Sequence, residues 1–215
     1  MEQRIKLPKT FRYFTNGNIE TAETIWFILH GYGQMPEYFI RKFQGLNPEK
    51  HFVVAPEGMH RFYLNGTSGR VGCSWMTKEA RLDDISDNID FLNTLYSNFS
   101  NQKIFKNKVL LGFSQGGATA ARWHEQGNFN ASHFILWGSV FPPDLSLPDN
   151  KSKFSESQNY FIVGDKDEYY NDEHISKMKK YLLENNLQFE TIFYTGNHSI
   201  QIDCLEKLTI RIVKP

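Results

Sequence analysis

The fold of this chain is decided by residues 108–121, which are Lys108-Val109-Leu110-Leu111-Gly112-Phe113-Ser114-Gln115-Gly116-Gly117-Ala118-Thr119-Ala120-Ala121. A short apolar run ends in the pattern Gly-x-Ser-x-Gly, and an alanine-rich segment of high helix propensity follows at once. Ser114 is therefore predicted to lie where a buried strand turns sharply into a helix. So tight a turn strains the serine backbone, and Gly112 and Gly116 bring no side chain to obstruct it. The Ser114 hydroxyl is expected to stand exposed at the edge of a sheet.

Apolar runs alternate with helical periodicity on both sides of this turn. Buried strands are predicted at 24–29 and 134–138, and further strands at 52–55, 159–163 and 189–194. Helices are predicted at 36–43, from about residue 80 to 95, at 175–182 and at 200–212. An edge strand is expected at 11–15, with residues 4–7 as a candidate hairpin partner.

Strands that alternate with helices predict an α/β fold, a mostly parallel sheet with helices on both faces. The 215 residues fit one such domain spanning 1–215, compact and without a large cap domain. Ligands of open parallel sheets bind beyond the carboxyl ends of the strands. Side chains just past those ends are therefore the candidates for chemistry.

The longest stretch without periodicity is 59–78, which is predicted to be a loop. Two interpretations stay open, a surface excursion that packs its aromatic side chains on the domain and a substrate-facing loop. Arg61 and Arg70 are candidates to bind an acid group of a substrate, against the alternative that both are solvated or in surface ion pairs. Trp75 is a further candidate substrate-binding residue.

Composition narrows the class of partner. Lysine plus arginine and aspartate plus glutamate number 24 each, and no basic stripe is present, which argues against a nucleic-acid or anionic-membrane partner. A small molecule is expected instead. The two cysteines, Cys73 and Cys204, are far apart in sequence and indicate a reducing compartment rather than a disulfide framework. With neither a signal peptide nor a membrane span predicted, the expected location is cytoplasmic.

Three kinds of side chain that act together in nucleophilic catalysis each follow a predicted strand. A serine hydroxyl is nearly inert at neutral pH, so Ser114 needs an imidazole to take its proton and an acid to orient that imidazole. Of the seven histidines, His198 follows the last strand and fits the position of the base. Asp165 and Asp167 both follow the strand before it, and the residue pattern leaves the choice of acid open.

Backbone N–H groups are predicted to stabilise a developing oxyanion. Gln115, the residue after the nucleophile, lies at a helix amino terminus that favours negative charge. Tyr32, in the loop after the early buried strand, is the candidate for the second donor. The alternative for this loop is an ordinary strand-to-helix turn.

With these residues in hand, the chain resembles the phospholipase/carboxylesterase branch of the α/β-hydrolases, the group that includes acyl-protein thioesterases. The likeness extends over essentially the whole chain, and its most specific element is the hexapeptide at 112–117. The matching segments are Leu29-His30-Gly31-Tyr32-Gly33, Ala55-Pro56, Ser74-Trp75, Gly112-Phe113-Ser114-Gln115-Gly116-Gly117 and Gly164-Asp165-Lys166-Asp167.

The resemblance implies an α/β-hydrolase fold with Ser114 as nucleophile, His198 as base and the second aspartate, Asp167, as acid. Asp165 is then expected to shape its turn through hydrogen bonds to the backbone. The chain departs from the family pattern after the acid, where Glu168-Tyr169-Tyr170 replaces a frequent Val-Pro. The segment 59–78 is also unusually rich in arginine and aromatic residues. Both departures lie where substrate selectivity could be set.

The residues together predict a serine hydrolase that cleaves a carboxylic ester or thioester through an acyl-enzyme, with no metal or organic cofactor. A non-catalytic binding protein on the same fold is the main alternative, because fold does not guarantee chemistry. The same three side chains could also transfer the acyl group to an alcohol or amine, or cleave a peptide amide.

Overall fold

The computed structural model describes residues 1–148 and 152–213, and its strands and helices follow the predicted alternation. Among these residues the strands are β1 (Tyr13–Asn16), β2 (Thr24–Leu29), β3 (His51–Pro56), β4 (His60–Asn65), β5 (Ser68–Ser74), β6 (Asn107–Phe113), β7 (His133–Trp137), β8 (Gln158–Gly164) and β9 (Glu190–Tyr194). The α-helices are α1 (Pro36–Phe39), α2 (Arg81–Ser100), α3 (Gln115–Gln126), α4 (Asp172–Glu184) and α5 (Ile202–Ile212). Short 3-10 turns cover Ile40–Phe43 and Lys153–Ser155.

The central sheet has seven strands in the order β1-β3-β2-β6-β7-β8-β9. Only β1 runs antiparallel to its neighbour, β3, and the other neighbouring strands are parallel. Every residue of β2 and of β3 is buried, as expected for strands covered on both faces. The predicted mostly parallel α/β sheet is confirmed.

Helices pack on both faces of the sheet and enclose two apolar clusters. Successive strand residues point to opposite faces, so Phe27 of β2 joins the cluster under α2, α3 and α4, whereas Trp26 joins the cluster under α1 and α5. The ring of Phe27 lies 5.0 Å from that of Trp123. Burying a side chain of this size is worth about 1.5–3 kcal/mol, so these rings hold α3 firmly against the sheet.

The prediction of a loop at 59–78 is wrong, because β4 and β5 form an antiparallel hairpin there. Gly66 has φ +63° at the first central position of the connection, the position that a type II′ turn gives to glycine. The hairpin also pairs with the loop after β2, where Gly33 donates a backbone hydrogen bond to Cys73 (2.8 Å) and Cys73 donates one to Gln34 (3.1 Å). The sequence of β4 shows little alternation between apolar and polar residues, because the exposed positions include the large aromatic residue Tyr63.

The candidate hairpin partner at residues 4–7 is not a strand. This segment instead lies along the acidic face of α2, where Arg4 contacts Asp83 at 2.7 Å and Lys6 contacts Asp90 at 3.6 Å. Such exposed pairs are worth only about 0–1 kcal/mol each. Pro8 lacks the N–H that would continue a strand. The segment is also anchored to α2 by the ring of Phe11, which stacks on that of Phe91 at 4.1 Å.

Candidate active site

Ser114 lies between β6 and α3 in a strained backbone conformation, with φ 51° and ψ −123°. Its backbone is held on both sides, because its N–H donates to Trp137 O (3.0 Å) and its carbonyl accepts from the Ser139 hydroxyl (2.7 Å). A Cβ on Gly116 would come within 2.3 Å of Leu29 O, so the turn closes against β2 only with glycine there. The surrounding sheet thus maintains a conformation that serine adopts rarely.

His198 and Asp167 form a hydrogen-bonded pair at the same edge of the sheet. His198 Nδ1 lies 2.8 Å from Asp167 Oδ2, and the side chain of Asp167 is fully buried. The other carboxylate oxygen of Asp167 accepts from the Tyr169 N–H at 3.0 Å. A carboxylate at Nδ1 puts the proton on that nitrogen and leaves Nε2 as an acceptor. Nε2 is therefore the atom of His198 that can take a proton from a neighbouring group.

Asp165 makes different contacts. Its Oδ1 accepts from the Gly196 N–H at 2.9 Å, and the neighbouring Lys166 N–H donates to Gly196 O at 3.0 Å. These bonds join the loop after β8 to the loop after β9, which carries His198. Asp165 thus positions the histidine loop, while Asp167 contacts the imidazole itself.

The imidazole is packed beside the serine turn. The ring of Phe113, the residue before Ser114, lies 4.7 Å from the His198 ring. A Cβ on Gly138, whose φ is +49°, would approach that ring to 3.0 Å, so this close packing requires glycine. Among the described residues, the Ser114 hydroxyl has no hydrogen-bond partner. Catalytic hydrogen bonds of substrate-free sites are often long and tighten when substrate binds.

The two predicted oxyanion donors lie where their N–H groups have no acceptor among residues 1–148 and 152–213. In the loop after β2, the Gly31 N–H donates to Gln34 Oε1 and the Gly33 N–H to Cys73 O, which leaves that of Tyr32. The Gln115 N–H opens α3, where the helix dipole favours negative charge. Tyr32 is 61% exposed, and its ring lies 5.0 Å from that of Phe62 on the hairpin.

Trp75, which the sequence offers as a substrate-binding residue, is fully buried under the loop after β2. Its indole N–H donates to His30 O at 2.8 Å, and its ring lies 5.0 Å from the His30 ring. His30 is itself buried, and its Nε2 accepts from the Gly58 N–H at 3.0 Å. Trp75 therefore does not face a substrate. Its ring and that of His30 pack beneath the loop after β2, where neither is accessible.

The Gln115 side chain is a positioning contact that sequence reasoning missed. Its Oε1 accepts from the Trp75 N–H at 3.1 Å, and its Nε2 donates to Met76 O at 2.9 Å. The amide therefore ties the segment after β5 to the first turn of α3. The hexapeptide at 112–117 singles out Gln115 in the sequence, but the pattern predicts a role only for its backbone N–H and not for its side chain.

The two arginine candidates lie in different surroundings. Arg61 contacts Glu57 at 2.5 Å, and the Glu57 carboxylate, which is only 3% exposed, is also bound by Arg12. The structure thus supports the ion-pair alternative for Arg61. Arg70 is exposed at the rim of a groove of about 690 Å³ beside the loop after β2.

Acidification is expected to destabilise the fold, because burial lowers the pKa of three histidines, His30, His51 and His124, from 6.5 to about 4. In the unfolded chain each takes a proton near pH 6.5, so between pH 6.5 and 4 the unfolded state binds more protons. The contribution of these histidines to the free energy of unfolding is therefore greatest above pH 6.5, and it falls as the pH drops from 6.5 to 4. The slope is at most about 1.4 kcal/mol per pH unit for each histidine.

Urea unfolding at intervals from pH 7.5 to 4 measures this slope. His124→Phe provides the matched control, since the ring of His124 stacks on Phe134 in the core and a phenyl ring in its place does not titrate. Burial also lowers the pKa of His133, so the variant is expected to lose about a quarter to a third of the histidine slope. A free energy of unfolding that stays constant from pH 7 to 4.5 contradicts the prediction.

Among the residues that the structure describes, no three histidine, cysteine, aspartate or glutamate side chains gather as metal ligands. Within the same residues, no helix combines the length and apolar character that crossing a membrane requires.

The family model described as phospholipase/carboxylesterase matches residues 15–214. Among solved structures, a carboxylesterase from Mesorhizobium loti is similar with a TM-score of 0.74 and 15% identity, over 95% of each chain. Acyl-protein thioesterase 2 from Zea mays has a TM-score of 0.71 and 16% identity, over 93% of this chain and 96% of its own. The Bacillus cereus carboxylesterase has a TM-score of 0.68 and 15% identity, over 94% of this chain and 93% of its own. At such identities these structures show a shared fold. No curated protein matches the sequence.

Proposed function

This chain belongs to the phospholipase/carboxylesterase family of α/β-hydrolases, and from that membership we propose that it hydrolyses carboxylic esters or thioesters through an acyl-enzyme on Ser114. The observation that carries the proposal is the 2.8 Å contact between His198 and buried Asp167, at the sheet edge where Ser114 occupies its strained turn.

Acylation begins when Ser114 Oγ attacks the carbonyl carbon of the substrate and His198 Nε2 takes the hydroxyl proton. The negative charge that develops on the carbonyl oxygen is held by the N–H groups of Tyr32 and Gln115. The bond from the carbonyl carbon to the leaving oxygen or sulfur then breaks, and His198 gives its proton to the departing alcohol or thiol. Asp167 accepts the hydrogen bond from Nδ1 and stabilises the imidazolium.

Deacylation repeats these steps with water as nucleophile. His198 takes a proton from water, the hydroxide attacks the acyl carbon, and the Ser114 oxygen leaves with that proton. The product is a carboxylic acid, and the enzyme returns to its starting state. Each role needs only side chains and backbone groups of this chain.

Covalent labelling by a fluorophosphonate probe tests the proposal, because the probe reacts with an activated serine. The wild-type protein is expected to be labelled and Ser114→Ala to be unlabelled. Ser86→Ala is the matched control, since it removes an exposed hydroxyl on α2. Absence of labelling in the wild type, or labelling that persists in Ser114→Ala, overturns the proposal. Product analysis with an added alcohol then separates hydrolysis from acyl transfer.

A further inference from the structure

An open groove lies between the loop after β7, the loop after β8 and α4. Its volume is about 500 Å³, within the range of small-molecule sites. The lining is mainly apolar and aromatic and includes Val140, Phe141, Tyr169, Tyr170, Met178 and Tyr181.

One wall of the groove touches the imidazole. The ring of Tyr169 lies 4.7 Å from the His198 ring, nearly edge-on, and that of Tyr170 lies 6.1 Å away and roughly parallel to it. Tyr169 also donates its backbone N–H to the Asp167 carboxylate at 3.0 Å. A molecule in this groove therefore lies against Tyr169 and Tyr170, the two rings that neighbour His198.

The groove leaves large apolar surface open to solvent. Tyr169 is 62% exposed and Val140 is 47% exposed, although both stand beside a buried cluster that includes Phe141. The ammonium of Lys177, at the rim, is engaged by Glu173 at 2.6 Å. Recognition in this groove is thus apolar and aromatic rather than ionic.

The direction of proton transfer decides which part of a substrate lies here. His198 must reach the leaving oxygen or sulfur to protonate it, so the leaving group departs along the histidine side of the site. In the proposed mechanism the carbonyl oxygen is instead held by the N–H groups of Tyr32 and Gln115. We propose that this groove binds the leaving alcohol or thiol and selects one that carries a flat aromatic ring, an inference that rests on the proposed esterase activity.

The aromatic lining gives the reason for this selectivity. Aromatic pairs in edge or offset geometry attract each other beyond their buried area, and a thioether such as that of Met178 also favours an aromatic neighbour. A saturated ring of the same size gains the burial but not these contacts. The exposed ring of Tyr169 is the side chain that such a leaving group would meet first.

The test compares 2-phenylethyl acetate with 2-cyclohexylethyl acetate. The two esters have the same acyl group, the same spacer and similar apolar bulk, and their alcohols leave equally well because the ring is remote from the oxygen. The wild-type enzyme is expected to show a kcat/KM about 2- to 10-fold higher for the phenyl ester.

Variants of Tyr169 assign this preference to the groove. Tyr169→Leu is expected to bring the ratio of the two kcat/KM values close to one, and Tyr169→Phe to retain it. Tyr63→Leu, the same change at an exposed tyrosine of β4, is the control that should keep the wild-type ratio. A displacement of His198 in a variant would lower the kcat/KM of both esters alike. The ratio of the two kcat/KM values therefore reports on the groove and not on such a displacement.

Equal hydrolysis of both esters by the wild type overturns the groove assignment alone, as does a preference that survives in Tyr169→Leu. If neither ester is hydrolysed and the fluorophosphonate probe also fails to label Ser114, the proposed esterase activity is overturned as well. If Ser114 is labelled but neither ester is hydrolysed, the assignment of this groove to arylalkyl leaving groups is overturned.

Discussion

Ser114→Ala is expected to lower kcat for ester hydrolysis by about 10⁴- to 10⁶-fold, the largest effect of any single change in this site. In the proposed mechanism the serine oxygen forms the acyl-enzyme, and alanine leaves His198 and Asp167 without a group to activate. Some rate above that in water is expected to remain, because the N–H groups of Tyr32 and Gln115 still stabilise the oxyanion when water attacks directly.

The variant is expected to fold normally, because alanine keeps the Cβ that already fits the strained turn at φ 51°. Only the hydroxyl is lost, and it has no hydrogen-bond partner among the described residues. The measurement is kcat with a simple acetate ester, accompanied by urea unfolding of both proteins and by Ser86→Ala as the matched control. A loss in kcat of less than about 100-fold would exclude Ser114 as the nucleophile.

Asp167→Asn is expected to lower kcat by about 10⁴-fold, and Asp165→Asn by far less. The Asp167 carboxylate accepts a hydrogen bond at His198 Nδ1 (2.8 Å). An amide that turns its NH₂ toward the ring forces the proton onto Nε2, where the base is then blocked. At position 165 an amide oxygen can still accept from the Gly196 N–H, so the loop keeps its shape.

The two variants are isosteric and two residues apart, which makes each the control for the other. Both are measured for kcat across pH 5 to 9 and for stability in urea. An Asp165→Asn variant that loses as much activity as Asp167→Asn would contradict the assignment of the acid. Equal stability with unequal kcat is the expected result.

Local sequence predicted the elements that are buried on both faces. The strand predicted at 24–29 has the same bounds in the structure. Its continuous apolar character predicts burial on both faces, and α3 covers one face and α1 the other. The hairpin of β4 and β5 was not predicted, because β5 has few apolar residues. Its order comes from backbone pairing with Gly33 and Gln34, which lie about forty residues earlier in the chain.

The candidate site likewise has features that local sequence predicts and features that depend on contacts between distant residues. The strain at Ser114 is a local property of Gly-x-Ser-x-Gly between a strand and a helix, so the sequence pointed to it directly. Trp75 is a candidate substrate-binding residue on sequence grounds because it lies in the aperiodic stretch 59–78, but its exposure depends on what packs above it. His30 and the loop after β2 cover it completely, a contact across 45 residues that periodicity does not encode.

The sequence by itself determined the alternation of the central strands with helices, the strained serine and the positions of the polar side chains that follow the strand ends, since each depends on neighbours within a few residues. The residue pattern left the choice between Asp165 and Asp167 open and only the family resemblance favoured Asp167; the tertiary structure decided which aspartate contacts His198, which aromatic ring is buried and where the groove beside Tyr169 lies. These depend on how β8 and β9 align at one sheet edge and on contacts between residues 31 apart in the chain, such as His198 and Asp167. Local propensity carries no information on such alignment, because parallel strands are brought together only when the whole sheet is packed between its helices.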